Sequence, residues 1–221
     1  MDISETRDTR CPVCEKNRTR QKYITPSFSI YYCPECEIEF NADFPPKGSI
    51  REAFSREYYL ELQKEAFAVQ ETDHSLDPMI KFYKEGLERL DELTGGKRLL
   101  DVGAGMGAFL KTAHDDGWDV EGIEISPFGS KFINGKYGFT VYDRSITSLD
   151  LGKESYDAIT FWDVIEHVEY PKRQLMKAHE LLKPGGMLCH RPPLSGKSLP
   201  LMAVAADQAG IAFPPGTPAT A

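Results

Sequence analysis

The feature that most constrains this chain is the stretch from Arg98 to Gly107, Arg-Leu-Leu-Asp-Val-Gly-Ala-Gly-Met-Gly, where an apolar run stops abruptly in three glycines. Leu99, Leu100 and Val102 suit a strand covered on both faces, as parallel strands in α/β proteins are. Gly103, Ala104 and Gly105 then leave backbone amides that a ligand can approach without meeting side chains. Met106, Phe109, Leu110 and Ala113 follow at helical spacing. Strand, glycine turn and helix N-terminus together form a cradle for a nucleotide-like ligand. Glycines at a strand end are common, so the sharper signal is a pair of acids. Asp101 stands just before the turn, and Glu124 ends the next strand, Gly122-Ile123-Glu124-Ile125.

From Arg98 onward strand and helix patterns alternate. Strands are predicted at 98–102, 119–125, 139–143, 156–162 and from Met187, with helices over about 106–115, from 127, and from Pro171 to Leu182. Such alternation predicts an α/β, doubly wound, mostly parallel sheet with helices on both faces. Ligands on these sheets bind at the carboxyl ends of the strands, which lines up Gly103, Glu124, Ser145 and Asp163 along one edge. Ahead of the first strand, Asp77-Pro78 opens a helix whose Ile80, Tyr83, Leu87 and Leu90 share a face until Thr94-Gly95-Gly96 ends it.

The N-terminal segment, residues 1–44, carries Cys11-Pro12-Val13-Cys14 and Cys33-Pro34-Glu35-Cys36. Two knuckles that each present two thiolates, joined by a hairpin, predict a zinc ribbon with Cys11, Cys14, Cys33 and Cys36 on one structural ion. A segment this short has too little core to order itself otherwise. Lys16, Arg18, Arg20 and Lys22 alternate along one strand face. Glu15, Glu35, Glu37, Glu39 and Asp43 nearly cancel them, so a solvated face is expected rather than a nucleic-acid surface. Asp43-Phe44-Pro45-Pro46-Lys47-Gly48 ends the ribbon, and residues 45–75 read as a linker and helical segment that Ser49 and Glu52 open as a capping box near Tyr58-Tyr59. A formal charge of −8 and a pI of about 5.2 argue against a general polyanion-binding role. No segment approaches a membrane-spanning apolar length and the first residues lack a signal core, which predicts a cytoplasmic protein.

Taken in order and spacing, Leu-Leu-Asp-Val-Gly-Ala-Gly-Met-Gly, Gly-Ile-Glu-Ile-Ser, Phe-Trp-Asp-Val-Ile-Glu-His-Val and Leu-Leu-Lys-Pro-Gly-Gly resemble the class I S-adenosylmethionine-dependent methyltransferases over residues 76–194. A dinucleotide-binding reading fits Gly103, Gly105, Ala108 and Glu124 but explains neither Asp101 nor the two later motifs. The resemblance implies a Rossmann-like domain that holds S-adenosylmethionine, with a small-molecule methyl acceptor. It implies Glu124 on the ribose hydroxyls, and Asp101 orienting the turn or reaching the cofactor's ammonium through water. Gly103, Ala104 and Gly105 would lie against the methionine and ribose portions, Ile125 on the adenine, Ser145 and Ile146 at its far edge, and Trp162 as a wall of the methionine pocket. Candidate bases are Asp163, Glu166 and His167; His167 is preferred because imidazole titrates near neutrality, and Asp163 is taken as catalytic beside it. Asp163, Glu166 and His167 also resemble the divalent-metal cluster of some quinone-ring O-methyltransferases. The competing class is a cofactor-binding but inactive module that meets a partner through its ribbon.

The resemblance stops near Leu194, and residues 195–221 read as an irregular tail in place of the closing antiparallel strands of such domains. One expectation is a shifted reading frame, since codons for Pro215 to Ala219 read one base later can spell the Pro-Glu-His-Leu of related proteins. Gly196-Lys197-Ser198 is a phosphate-loop decoy, because Arg191 stands where the first glycine is needed. Lone Cys189 is expected to be a small core residue.

Overall fold

The computed structural model describes residues 9–25, 28–43, 55, 57–58, 78–191 and 202–205. Near the N-terminus, β1 (Arg20–Ile24), β2 (Ser29–Cys33) and β3 (Ile38–Asn41) form an antiparallel sheet in that order. Among the described residues its hydrophobic core is small, a cluster of buried Cys11, Cys33 and Phe40. Three of the four alternating cations form ion pairs: Lys16 and Arg18 meet Glu35, and Lys22 meets Glu39.

The larger unit begins with α1 (Pro78–Leu93) and β4 (Arg98–Val102), followed by α2 (Ala108–Asp115) and β5 (Asp119–Ile123). It continues through α3 (Pro127–Tyr137), β6 (Thr140–Tyr142), β7 (Tyr156–Trp162), α4 (Pro171–Leu181), β8 (Leu182–Arg191) and β9 (Met202–Ala205). Strand order is β6-β5-β4-β7-β8-β9. The first five are mutually parallel and β9 runs antiparallel to β8. Chain order reverses beside β4, the topological switch point at whose carboxyl edge such sheets open a crevice.

Hydrophobic alternation along the strands distributes side chains between two layers. One side packs Leu99, Ala158 and Cys189 against Leu87 and Leu90 of α1, Phe109, Leu110 and Ala113 of α2, and Ile133 of α3. The other packs Leu100, Val102, Ile159 and Phe161 against Leu175, Ala178 and Leu181 of α4. Cys189 is fully buried, and burial pushes its thiol up to about 12, consistent with a core role.

Two expectations change. The last parallel strand starts at Leu182 rather than Met187, because an irregular register opposite Tyr156 and Ala158 accommodates Pro184-Gly185-Gly186 inside it. The stretch over 195–221, expected to be irregular, contains β9, which pairs Ala205, Val204, Ala203 and Met202 with Met187, Leu188, Cys189 and His190 and so covers the β8 edge. In the predicted linker, Glu57 and Tyr58 are helical. Ser49, Glu52 and Tyr59 lie outside the described residues, as do Gly196-Lys197-Ser198. No helix among the described residues is long and apolar enough to cross a membrane.

Candidate functional site

The glycine turn sits on β4 as the sequence predicts. Gly103 and Ala104 both donate their amides to the Ile123 carbonyl, at 2.7 and 2.9 Å, tying the turn to β5. Gly103, Gly105 and Gly107 adopt φ of 82°, 58° and 82°, left-handed values that glycine reaches without a Cβ penalty. The surroundings of Gly103 and Gly105 differ. A Cβ on Gly103 would stand 2.3 Å from Val164 Cγ2, whereas around Gly105 there is nothing within 4 Å. The chain after β7 therefore rests directly on the first glycine and leaves the second open.

The two acids act on this turn from different sides. Asp101, 1% exposed, accepts a 2.7 Å hydrogen bond from the Thr160 hydroxyl of β7. Burial pushes its carboxyl up to about 7, and the nearby Glu124 charge adds in the same direction while Thr160 opposes both. Glu124, also buried, clasps the turn: the Gly105 amide donates to Oε2 at 2.8 Å and the Ser126 amide to Oε1 at 2.7 Å. A carboxylate offers about four acceptor sites, and these two amides take one on each oxygen. Two buried carboxylates beside a glycine whose α-carbon faces open space favour a ligand carrying positive charge and hydroxyl donors.

At the adenine edge, Ile125 is half-buried in the bend after β5. Ser145 caps the short turn Ile146–Ser148 and exchanges hydrogen bonds with Gln174 of α4. Ile146 is fully buried in the α4-side core. That corrects its expected place on the cleft, because a residue without exposed atoms cannot border a ligand there. Ser145 is the accessible member of the pair.

Trp162 ends β7 inside an aromatic group. Its ring centroid lies 5.4 Å from Phe82, 5.8 Å from Tyr83 and 5.0 Å from Phe109, the first two from α1 and the third from α2. Its Nε1 is buried without a partner. Amphipathic spacing put Tyr83 on this face, but Phe82 carried no comparable signal.

Beyond β7 the three candidate bases separate. Asp163, at φ 53°, has both oxygens taken by Arg191 of β8, through Nε at 2.7 Å and through Nη2. That guanidinium also lies 5.4 Å from the Phe82 ring and contacts the Met79 sulfur, so it pins loop, strand and α1 together. His167 is exposed. Glu166, in the turn Ile165–His167, has its Oε2 enclosed with no partner, and burial raises its carboxyl above the usual range. Asp163, expected to be catalytic, is thus held in a salt bridge, and His167 lies at an exposed position. Arg191 and Thr160 had no visible partner in the sequence, since strand pairing alone brings them to Asp163 and Asp101. Among the described residues, the metal-ligating groups that converge are Cys11, Cys14, Cys33 and Cys36, with all four sulfurs within 4.8 Å of one another. Asp163, Glu166 and His167 form no such cluster there.

A switch-point crevice carrying a glycine turn, an acid beneath it and a second acid at the end of the neighbouring strand defines a class I methyltransferase fold built for a nucleoside-bearing cofactor. The family model described as a methyltransferase domain matches residues 76–215, and the chain belongs to that family. A ubiquinone biosynthesis O-methyltransferase of Cereibacter sphaeroides is 34% identical over 128 residues, 55% of this chain and 52% of the relative. One of Bordetella avium is 32% identical over 122 residues, 51% and 48% respectively. The chain thus spans about half the length of these curated relatives. The solved structure of the SAM-bound amino pentose methyltransferase CalS10 from Micromonospora echinaspora superposes with a TM-score of 0.51. It is 21% identical, over 62% of this chain and 58% of that one, a likeness of fold.

Proposed function

We propose that the chain binds S-adenosylmethionine at the β4–β5 end of the crevice and methylates a hydroxyl of a small-molecule acceptor, while its ribbon holds one structural zinc ion. The observation that carries the reading is the clasped turn: Glu124 bonded to the Gly105 and Ser126 amides, with Asp101 buried beneath. When bound, the sulfonium cofactor supplies an activated methyl carbon. Methyl transfer then asks the protein mainly for alignment and exclusion of water.

The residues divide that work. Glu124 accepts from the ribose hydroxyls, and Gly105, free of side chains, lets the ligand approach the backbone. Asp101 biases the cradle toward a cation from below the turn. Ile125 and Ser145 flank the base. Trp162 and its aromatic neighbours wall the methionine end, and the Asp163–Arg191 pair fixes the loop that closes over it. An oxygen acceptor is the choice supported by the relatives, both described as O-methyltransferases.

The four cysteines fit zinc on geometry. A tetrahedral site with bonds of about 2.3 Å places its sulfurs about 3.8 Å apart, and Cys14 Sγ to Cys33 Sγ is 3.8 Å. They would hold the ion as thiolates and supply folding free energy to a ribbon whose core is three residues.

Calorimetry with S-adenosylmethionine, followed by a transfer screen over phenols, sugars and other hydroxyl compounds, tests the proposal. Saturable binding and a methylated oxygen product are expected. Wild-type protein that ignores the cofactor would overturn the reading.

A further inference from the structure

Ser145 and Gln174 join the loop after β6 to the first turn of α4, and their hydrogen-bonding capacity is not used up by the protein. Ser145 Oγ accepts from the Thr147 amide at 3.4 Å and from Gln174 Nε2 at 3.0 Å, which takes both of its lone pairs. Its single proton goes to Thr147 Oγ1 at 2.9 Å or to Gln174 Oε1 at 3.3 Å. The hydroxyl is therefore spent. Gln174 keeps one N–H of Nε2 and at least one lone pair of Oε1 without a partner among the described residues.

Position puts that spare capacity beside the nucleoside end of the crevice. The Glu124 amide donates to the Tyr142 carbonyl at 2.9 Å, tying the end of β5 to the end of β6, and Ser145 follows shortly after Tyr142. α4 starts at Pro171, beyond the carboxyl end of β7, so its first turn stands on the same edge of the parallel sheet as Ser145. Ser145 and Gln174 are both half-buried, which leaves the pair within reach of a ligand.

A primary amide presents a donor and an acceptor side by side in one plane, the pattern that pairs with the amino group of adenine and a ring nitrogen next to it. We propose that Gln174 sets the base specificity of the cofactor site: Oε1 accepts from the adenine amino group and Nε2 donates to the adjacent ring nitrogen, while Ser145 holds the amide in that orientation. This rests on the cofactor reading above, in which Ser145 flanks the base. A base with a keto oxygen in place of the amino group reverses the pattern, so that its oxygen faces Oε1 and its ring N–H faces Nε2. Turning the amide over to suit it would bring Oε1 onto Ser145 Oγ and commit the one hydroxyl proton to Gln174, away from Thr147. A staple that merely tied α4 to the loop would hold the same contacts and be blind to the base.

Calorimetry on the full chain with S-adenosylhomocysteine and S-inosylhomocysteine, which differ only in that group and its ring proton, separates the two roles. The wild type should prefer the adenosyl compound at least about tenfold, the scale of a good bidentate base contact. Gln174→Glu has the same shape but only accepts, so it should weaken adenosyl binding about tenfold and strengthen inosyl binding at least about threefold, a gain that a damaged fold does not produce. Gln174→Leu should reduce the preference to less than about threefold. Ser145→Ala frees the amide to turn and should do the same while adenosyl affinity stays within about fivefold. Equal binding of both compounds by the wild type would overturn the proposal, as would an undiminished adenosyl preference in Gln174→Glu and Gln174→Leu. Wild-type protein that binds neither compound would overturn the cofactor reading itself, a result distinct from tight binding without discrimination.

Discussion

Glu124 holds the glycine turn and, in the proposed function, also accepts from the ribose, and its substitutions should separate the two. Glu124→Gln replaces one carboxylate oxygen by an amide NH2, which then confronts either the Gly105 or the Ser126 amide. S-Adenosylmethionine affinity should fall by about 2 kcal/mol, the scale of a charge-assisted hydrogen bond, and calorimetry reads this as roughly 30-fold. Glu124→Ala should also lower the melting temperature of the ligand-free protein. Unchanged affinity in a folded variant would remove Glu124 from the ribose site. Asp101 predicts a pH dependence. Its folded carboxyl titrates near 7, above the unfolded value near 3.8, so the native state binds the extra proton between those values and loses stability as pH rises through that window. A cationic ligand favours the ionised form, so its affinity should climb from pH 5 to 7 and level off above. Asp101→Asn should flatten both curves, as thermal melts and calorimetry across pH would show; an unaltered slope would place the titrating group elsewhere.

At the level of the element, the strand-turn-helix of β4 and α2 makes a contrast between neighbouring glycines. Gly103→Ala adds left-handed strain of about 1–2 kcal/mol and drives a methyl into Val164. The expected result is a melting temperature lower by several degrees, with binding lost as the β7 loop is displaced. Gly105→Ala carries the same strain but meets open space. It should melt closer to the wild type and lose cofactor affinity more than tenfold, because its methyl enters the crevice. Equal effects on stability and binding at the two positions would contradict the packing described here.

Across the whole molecule, the ribbon meets the larger unit through Glu15, beside the first knuckle, and Arg173 in the first turn of α4. Arg173 Nε donates at 2.9 Å, and its guanidinium lies 4.4 Å from the Tyr170 ring. Exposed pairs of this kind contribute only about 0–1 kcal/mol. Purified protein should contain about one zinc per chain. Chelation should abolish the ribbon's ordered amide signals while the melting of the sheet unit shifts by no more than a few degrees. A zinc-free protein with an intact ribbon would defeat the assignment.

The sequence by itself determined the alternation of strands and helices, the position of the glycine turn, the acids at 101 and 124, and the paired thiols. Each is written in local periodicity or fixed spacing, which a chain carries before it folds. The partners of those residues belong to tertiary structure. Thr160 meets Asp101 and Arg191 meets Asp163 only because β7 lies parallel between β4 and β8. The same register decides which of three neighbouring candidate bases is enclosed, which is salt-bridged and which is exposed. It also sends Ile146 into the core instead of the crevice, and it lets β9 cover an edge that local pattern left irregular. Hydrophobic patterning assigns a residue to a face of its own strand; which side chain waits across that face depends on strand order and register, set by contacts between residues up to about sixty positions apart.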